Sequence, residues 1–351
     1  MNQTRRNFLK TAGAAGVAAL AGSAGPTAAK TLDRTAKAGA RSGPQTLPKK
    51  MTFCTLRKGT EYSLGLKTDR GILDVKKAAQ ALHKNVPLTI DEVLQGGDTL
   101  GLAALVEQAI ASGNLKSAFI EEAKAEFGPC VTNPEKIIML GYNYKKHVIE
   151  VKQQMPTSPV LFNKYNNALN CHNGTIELPE VAKKFDYEVE LVMVMGKVAR
   201  NVSEADALSY VFGYCVGNDF SARDLQFKTT QLMLGKTSDG FGPIGPYLVT
   251  ADQIPDPQNL NLDCRVNGEV RQSSNTNDMI FSCANIISYV SHIWTLKPGD
   301  IFFTGTPSGV INGMPPEKQV WLKAGDKVAC SIEKLGELRF GLANPKQAKA
   351  T

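Results

Sequence analysis

After residue 50 the chain consists of short apolar runs separated by glycine, proline and asparagine. Three runs near the start of this part predict strands, over Met51–Leu56, Glu61–Leu66 and Gly71–Val75. Two segments with helical spacing follow, Leu88–Leu94 and Leu100–Ala111, and Thr89 is a candidate N-cap for the first. This mixture predicts a small N-terminal α+β domain over residues 51–130.

The longer part of the chain, from residue 133 onwards, is dominated by predicted strands. The Asn267-Gly268 pair between two alternating segments is a strong signal for a two-residue hairpin. Pro298-Gly299-Asp300 predicts a turn into a strand at Ile301–Thr304, whereas Ala284–Trp294 has the spacing of an amphipathic helix. We therefore predict a strand-dominated α+β fold, a sandwich or roll of short strands, with a larger domain over residues 133–345.

The charge distribution narrows the choice of partners. The chain of 351 residues has a net charge of +7, but residues 1–50 hold nine Lys and Arg against one Asp. The remaining residues carry 31 basic and 32 acidic side chains. Because the folded part is nearly neutral, we expect no nucleic-acid partner.

The basic N-terminus resembles a twin-arginine export signal. Arg5-Arg6 precedes the weakly apolar run Thr11–Ala24, which is too short to span a membrane, and small residues follow around Ala28-Ala29. We predict a signal peptide over residues 1–29, a disordered linker over residues 30–50, and a mature protein without a membrane span. The signal implies a twin-arginine translocase as partner and a periplasmic or exported soluble product. The alternative is a disordered alanine-rich tail.

Seven cysteines are scattered along the chain without a C-x-x-C pair. The odd number leaves at least one free thiol in any intramolecular pairing. The cysteines therefore predict neither a disulfide framework nor a zinc site.

Two glutamates in the apolar run Phe185–Met195 are the first candidates for chemistry. Glu188 and Glu190 are two residues apart, so on a strand their carboxylates point to one face and repel unless a positive group lies between them. Asp219 follows a second apolar run, and three carboxylates suit a hard ion such as Mg²⁺, Mn²⁺ or Ca²⁺ rather than zinc. The alternative is a half-exposed strand with an acidic outer face.

Further candidates lie at predicted turns. His147 and Glu150 are three residues apart and would face each other on a helical turn, where the carboxylate can orient the imidazole as a general base. The alternative is a surface histidine with a chance neighbour. Lys236 lies in a loop rich in glycine and proline, where it can stabilise an oxyanion or be solvated. The turn at Thr304–Gly309 can present a hydroxyl and N–H groups to a carboxylate.

The order of these motifs is more specific than any one of them. G-Y-N-Y-x-x-H-x-x-E is followed by F-x-K, D-Y-E-V-E-L, G-Y-x-x-x-N-D-x-S-A-R-D-x-Q, G-K-x-x-D-x-x-x-P-x-G-P and L-x-P-G-D-I-x-x-T-G-T-P-x-G-V. This series closely resembles the fumarylacetoacetate hydrolase family over residues 133–342. The resemblance implies a mixed β-sandwich roll, a homodimer and, for residues 51–130, the accessory domain that many members carry.

The resemblance implies a metal site and a proton-transfer pair. Glu188, Glu190 and Asp219 match the family's divalent-metal ligands, which usually hold Mg²⁺ or Mn²⁺. His147 matches the general base, and Glu150 matches the acid that orients it.

Four more positions match residues that assist the metal site or contact the substrate. Lys236 matches the active-site lysine, and Arg223 and Gln226 match groups that assist the metal and hold the substrate. Thr306 matches the threonine that contacts the acid end of the substrate. One departure is the run Tyr165–His172, where the family usually has a Pro-Ser-like turn. We expect this run near the substrate mouth.

These matches predict an enzyme that handles a small oxo acid. We expect a divalent-metal-dependent hydrolase that cleaves a C–C bond in a 2-oxo or β-dicarbonyl acid through a metal-stabilised enolate. The first alternative is an isomerase, decarboxylase or lyase that uses the same site. The second is an exported protein that binds a small acid without turnover.

Overall fold

The computed structural model describes residues 46–345, and this part of the chain forms nineteen strands and eight α-helices. The strands are β1 Thr52–Lys58, β2 Glu61–Thr68, β3 Gly71–Asp74, β4 Phe119–Ile120, β5 Ile137–Gly141, β6 Val160–Lys164, β7 Leu169–Asn170, β8 Gly174–Glu177, β9 Phe185–Asp186, β10 Val189–Met195, β11 Val211–Asn218, β12 Ser221–Ala222, β13 Gly242–Pro243, β14 Leu248–Thr250, β15 Asn261–Val266, β16 Glu269–Asn275, β17 Ile301–Phe303, β18 Lys327–Ile332 and β19 Gly336–Ala343. The helices are α1 Val75–Ala81, α2 Ile90–Leu94, α3 Thr99–Ala111, α4 Lys145–Glu150, α5 Glu204–Ala207, α6 Arg223–Gln226, α7 Met233–Lys236 and α8 Cys283–Ile293. The predicted signal peptide and residues 30–45 of the predicted linker lie outside the described residues.

A mixed sheet of ten strands runs through the molecule in the order β4-β3-β2-β1-β14-β11-β10-β17-β5-β6. β10 pairs antiparallel with β11 and β17, and β17 pairs parallel with β5. The strands of residues 52–74 join the same sheet through the antiparallel pair β1 and β14. The predicted segment 51–130 thus shares a sheet with the larger part, and its status as a separate domain stays a prediction.

The two faces of β10 belong to two hydrophobic cores, as the period of two along a strand requires. Leu191 and Met193 pack in a cluster that includes residues of the second sheet, which has five strands in the order β16-β15-β18-β19-β8. Val192 and Val194 pack on the other side, in the cluster that contains the apolar residues of α1 to α3. The predicted strand-dominated α+β fold with packed mixed sheets is confirmed.

Turn and cap residues in the sequence correctly predicted the positions of a helix start and a hairpin. Thr89 accepts a hydrogen bond from Glu92 N–H over 3.2 Å and caps α2 as predicted. Asn267 and Gly268 both have positive φ, 52° and 88°, which matches the tight hairpin between β15 and β16. In the described residues no helix is long and apolar enough to cross a membrane.

One predicted strand is interrupted. The run Phe185–Met195 forms β9 and β10 with a break at Tyr187 and Glu188, because the two strands have different partners. β9 pairs with β12, and Asp186 Oδ1 accepts a hydrogen bond from Ile311 N–H over 2.9 Å. Glu188 therefore lies in the break, and the strand alternation that linked it to Glu190 does not extend to it.

Candidate active site

The structure brings the three predicted metal ligands together in the interior. Glu190 lies on β10, Glu188 directly precedes this strand, and Asp219 follows the last residue of β11. The Asp219 N–H donates to the Glu188 carbonyl over 2.9 Å. One carboxylate oxygen of each acid lies within 4.8 Å of the other two, and at most 5% of each residue is exposed. We call these three residues the carboxylate triad. Their burial rules out the alternative of an acidic solvent-facing strand.

Three buried cations contact the carboxylate triad. Lys236 Nζ lies 2.7 Å from both Glu188 Oε2 and Asp219 Oδ2. Arg223 Nη2 donates to Glu188 Oε1 over 2.6 Å, and Lys164 Nζ lies 2.8 Å from Asp219 Oδ1. Lys164 was not predicted as a site residue, although the lysine of F-x-K ends an apolar run and could have signalled it.

The charges of this cluster do not balance. With Asp186, four buried carboxylates face the three cations, which leaves one negative charge in excess. Burial opposes ionisation of Glu188, but Arg223 and Lys236 outweigh it and hold its pKa at about 2. Burial, together with the two neighbouring acids, raises the pKa of Glu190 well above its ordinary value. Glu190 is therefore the acid of this group whose ionised form is least stabilised while no cation is bound.

The residues present fit a divalent cation. All three candidate ligands supply carboxylate oxygens, which hard ions such as Mg²⁺ and Mn²⁺ prefer. Asp219 Oδ1 is buried and accepts no hydrogen bond from the described residues, since Lys164 lies at ion-pair distance but outside hydrogen-bonding geometry. This oxygen therefore keeps acceptor capacity beside an excess negative charge, and a divalent cation would use it.

The predicted proton-transfer pair lies on α4 and is anchored to a loop. His147 is 6% exposed, and its Nδ1 lies 3.4 Å from Glu150 Oε2. The two oxygens of Glu150 also accept the Gly309 N–H, over 2.9 and 3.1 Å. Gly309 has a φ of 108°, and a Cβ there would lie 2.2 Å from the Arg271 carbonyl oxygen, so this position requires glycine. Glu150 thus fixes the imidazole from the Nδ1 side and leaves Nε2 for chemistry.

Arg223 and Gln226 form a pair on α6. Arg223 Nε donates to Asp186 Oδ2 and its Nη1 donates to Gln226 Oε1, each over 2.9 Å. Because the Gln226 carbonyl is used in this way, its amide NH₂ is left as a donor for a bound molecule. All three nitrogens of Arg223 already contact protein acceptors, so it assists the carboxylates and orients Gln226. Contact of Gln226 with substrate stays a prediction.

Thr306 lies against β10 between the two glutamates. Its hydroxyl donates to the Val189 carbonyl over 3.0 Å and accepts from Gln272 Nε2 over 2.9 Å. Gln272 Oε1 in turn accepts the Val189 N–H over 3.0 Å. The hydroxyl hydrogen is therefore engaged, and the predicted contact with a substrate acid requires this side chain to rotate or to use its backbone N–H.

A cavity of about 100 Å³ connects these groups. Eight of the nine predicted site residues line it, and Glu150 acts from behind His147. The predicted residues in the lining are His147, Glu188, Glu190, Asp219, Arg223, Gln226, Lys236 and Thr306. The metal-ligand candidates, the base candidate and the lysine therefore face a single small space.

The pattern along the chain did not reveal the apolar wall of the cavity. This wall includes Tyr142, Phe162, Phe227 and Leu232. Tyr142 and Leu232 have positive φ values of 56° and 60°, which are uncommon for bulky residues and occur at functional sites. The Tyr142 ring stacks on His147 with centroids 6.4 Å apart.

The run Tyr165–His172 was expected near the substrate mouth, but none of its residues lines the cavity. It contacts the rim indirectly, because the Tyr165 hydroxyl lies 3.4 Å from Met233 Sδ, next to Leu232. The run therefore lies one residue layer behind the cavity lining and does not form the lining itself.

Two family models match the chain, one over its folded part and one over its leader. Residues 136–343 match the fumarylacetoacetate (FAA) hydrolase C-terminal family, and residues 2–22 match the twin-arginine translocation pathway signal sequence. The chain therefore carries a leader for export by the twin-arginine translocase. It is 41% identical to the mitochondrial oxaloacetate tautomerase Fahd2a of Rattus norvegicus over 267 residues, which cover 76% of this chain and 82% of that protein.

Solved structures show the same fold. The fumarylacetoacetate hydrolase of Exiguobacterium antarcticum has a TM-score of 0.69 and 30% identity, and the match covers 84% of this chain and all of that one. The fumarylpyruvate hydrolase of Pseudomonas aeruginosa, solved with Mn²⁺ and pyruvate, has a TM-score of 0.55 and 30% identity over 63% of this chain and 92% of that one. From its sequence, its fold and its buried site, the chain belongs to the fumarylacetoacetate hydrolase family.

Proposed function

We propose that this protein is an exported, divalent-metal-dependent tautomerase of a small 2-oxo dicarboxylic acid, with oxaloacetate as the first substrate to test. One observation carries the proposal: the carboxylate triad, Lys236 and His147 face one cavity of about 100 Å³, and Glu150 contacts His147 from behind. Ligand pockets usually measure about 300–1,000 Å³. A small cavity favours a four-carbon acid over a longer cleavable substrate, and a relative at 41% identity is named for that reaction.

The residues of the site support enolate chemistry, and each has a separate role. Glu188, Glu190 and Asp219 would hold a divalent ion, which would supply Lewis-acid polarisation of the substrate carbonyl. His147, oriented by Glu150, takes the proton from the carbon next to that carbonyl. The enol oxygen gains one proton in return, so the reaction adds and removes no atoms.

The rest of the cavity positions the substrate. The free amide of Gln226 donates to a carboxylate or to the developing oxyanion. Tyr142, which stacks on His147, and Phe162 give the cavity an apolar wall that favours exclusion of water. Each of these groups lowers the barrier without forming a covalent bond to the substrate.

The second candidate is the hydrolytic cleavage of a C–C bond in a 2-oxo or β-dicarbonyl acid. The fold match to the hydrolases of Exiguobacterium antarcticum and Pseudomonas aeruginosa favours it. In this reaction His147 takes a proton from water, which attacks the distal carbonyl, and the enolate leaves. Both candidates use the same residues and differ in whether water enters the product.

A pair of measurements separates these reactions. The mature protein, loaded with Mg²⁺ or Mn²⁺, is incubated with oxaloacetate in D₂O, and deuterium at C3 is followed by NMR. A panel of acylpyruvates is then incubated in ¹⁸O-water, where label in a product carboxylate indicates hydrolysis. His147→Ala should slow either reaction roughly 10²–10⁴-fold, while calorimetry still shows ion binding. Unchanged turnover in this variant contradicts the proposal, and binding without any reaction favours a small-acid binding protein.

Our proposal for the physiological state follows the same reasoning. We propose Mg²⁺ or Mn²⁺ as the resident ion, a soluble periplasmic product after removal of residues 1–29, and a homodimer. Exposed apolar side chains such as Val181, Val320 and Ile149, which are 67–76% exposed, are compatible with a covered surface. Light scattering of the mature protein tests the dimer, and N-terminal sequencing of the periplasmic product tests the cleavage site.

A further inference from the structure

We propose that Lys236 is a movable cation that competes with the divalent ion for Glu188 and Asp219, so that ion binding releases its ammonium into the cavity. The inference depends on the proposed metal site and adds that the ion binds before the substrate. Lys236 then serves two states: it neutralises the acids before loading and contacts substrate after loading.

The position of Lys236 is that of a resident cation. Its Nζ bridges one oxygen of Glu188 and one of Asp219, both at 2.7 Å, and only 2% of the residue is exposed. Both carboxylates are candidate ion ligands. An ammonium that bridges two ligand carboxylates repels a divalent ion at the same acids, since like charges about 4 Å apart repel strongly inside a protein.

The other two cations are tied to the protein and cannot leave. Lys164 Nζ also donates to the backbone carbonyls of Phe220 and Lys236. Arg223 is held by Asp186 and Gln226 in addition to Glu188. By contrast, both hydrogen bonds that the structure shows from the Lys236 ammonium go to candidate ion ligands.

A second location for the ammonium is available nearby. Lys236 Nζ lies 5.3 Å from the centroid of the Phe162 ring, and both residues line the cavity. A cation over an aromatic face is attracted by the ring. The ammonium can therefore turn from the acids toward the cavity without losing all favourable contacts.

This movement has a chemical consequence. An ammonium engaged by two carboxylates is a poor donor to a third group, whereas a released one can bind a developing oxyanion. Ion binding would thus provide two groups at once: the ion that polarises the carbonyl and the Lys236 ammonium that donates to the oxyanion. The substrate is expected to bind after the ion, and weakly or not at all before it.

The primary test measures ion affinity and needs no turnover. The Mn²⁺ affinity of the mature protein and of Lys236→Met is compared by titration calorimetry, and we expect Lys236→Met to bind at least about 10-fold more tightly. Lys164→Met is the charge-matched control, because it removes a cation from Asp219 that does not bridge two ligands. Its gain should be clearly smaller. Lys236→Arg keeps the charge and should show no gain.

A direct structural measurement covers the case in which Lys236→Met does not fold. In crystals of the unaltered protein with Mn²⁺, the distance from Lys236 Nζ to at least one of its two acid partners should exceed about 3.5 Å, the limit of a hydrogen bond. Bound Mn²⁺ with both contacts intact overturns this inference alone, as does an equal gain in both Lys→Met variants. A failure of the unaltered protein to bind Mn²⁺ or Mg²⁺ overturns the proposed function as well.

Discussion

Carboxylates are buried at strand ends in two places, around Asp300 and in the carboxylate triad. The two places differ in how their negative charges are paired. At the start of β17, Asp300 is fully buried and accepts the N–H groups of Lys136 and Lys297 over 3.1 and 2.7 Å. Its second oxygen also pairs with Lys136 Nζ at 2.9 Å. Each oxygen has a donor, and two acids, Asp300 and Glu135, face two lysines, Lys136 and Lys297.

The carboxylate triad, at the ends of β10 and β11, has the opposite character. Its acids exceed the nearby cations by one charge when Asp186 is included, and Asp219 Oδ1 has no hydrogen-bond donor in the described part of the chain. A saturated, balanced acid such as Asp300 stabilises a fold, whereas an unsaturated, unbalanced group stores unfavourable energy that a ligand can relieve. The two places are therefore expected to respond in opposite ways to the removal of an acid.

The largest expected effect comes from removing the buried cation that balances Asp219. Lys164→Met keeps an unbranched apolar side chain but leaves Asp219 Oδ1 and two backbone carbonyls without the Lys164 ammonium. We expect a loss of about 3–5 kcal/mol in the free energy of unfolding, measured with urea in the presence of a chelator. A divalent ion should restore part of it. Lys58→Met, at an exposed strand end, is the control and should change stability by less than about 0.5 kcal/mol.

The second largest effect is expected from Glu190, the triad acid whose ionised form is least stabilised. Glu190→Gln should weaken Mn²⁺ binding more than about 100-fold, since even residues behind metal ligands contribute 10–100-fold. In a chelator the same variant should be as stable as the unaltered protein or more stable, because burial and the neighbouring acids disfavour the ionised form of Glu190, and the glutamine carbonyl can still accept the Gly305 N–H. Calorimetry and urea unfolding measure the two quantities. A large loss of stability in chelator would show that Glu190 is balanced like Asp300.

The sequence predicted the chemistry of the site better than its surroundings. The triad, the His147 pair and Lys236 could be found because each residue type is unusual in its local pattern, and because their order resembles one family. Lys164 was overlooked although it ends the F-x-K motif, and the apolar wall around Tyr142 was not recognised. A lysine at the end of a strand is ordinarily exposed, and its burial depends on an Asp219 that is distant in sequence.

The same limit applied to the fold. Periodicity and turn residues placed the hairpin at Asn267 and the cap at Thr89, because these signals are local. The break in the strand at Glu188 was missed, since it depends on pairing between β9 and β12 and on hydrogen bonds from residue 311 to Asp186. Non-local pairing also joins β1 to β14, which no local pattern specifies.

Asp300→Asn is the counterpart of Glu190→Gln and should have a smaller effect of opposite sign on stability. The asparagine side chain has one acceptor oxygen in place of two, so one backbone N–H near it is left without a partner. We expect a loss of about 1–3 kcal/mol in urea unfolding, and Lys136, which is 26% exposed, can turn to solvent. Mn²⁺ affinity should not change. Weaker ion binding in this variant would mean that the two places are coupled.

The smallest expected effect is a pH dependence of stability that comes from His172. This residue lies outside both the carboxylate triad and the Asp300 group, so its contribution must be measured separately. His172 Nδ1 accepts the Arg339 N–H over 3.2 Å, which requires this nitrogen to be unprotonated. Burial, aided by Arg339, lowers the pKa of His172 below 6.5. The unfolded chain therefore binds this proton first, so its contribution to stability is complete above pH 6.5 and is lost as the pH falls below that value.

We expect this loss of unfolding free energy, between pH 7 and pH 5, to be the smallest of the four effects. His172→Asn keeps an acceptor without a titrating ring and should flatten the stability profile in that window, whereas His292→Asn, on the exposed side of α8, should leave it unchanged. Urea unfolding in chelator at several pH values provides the measurement. If His172→Asn keeps the full slope, the acid sensitivity comes from the carboxylates, and the contrast between the triad and Asp300 must then be measured at one fixed pH.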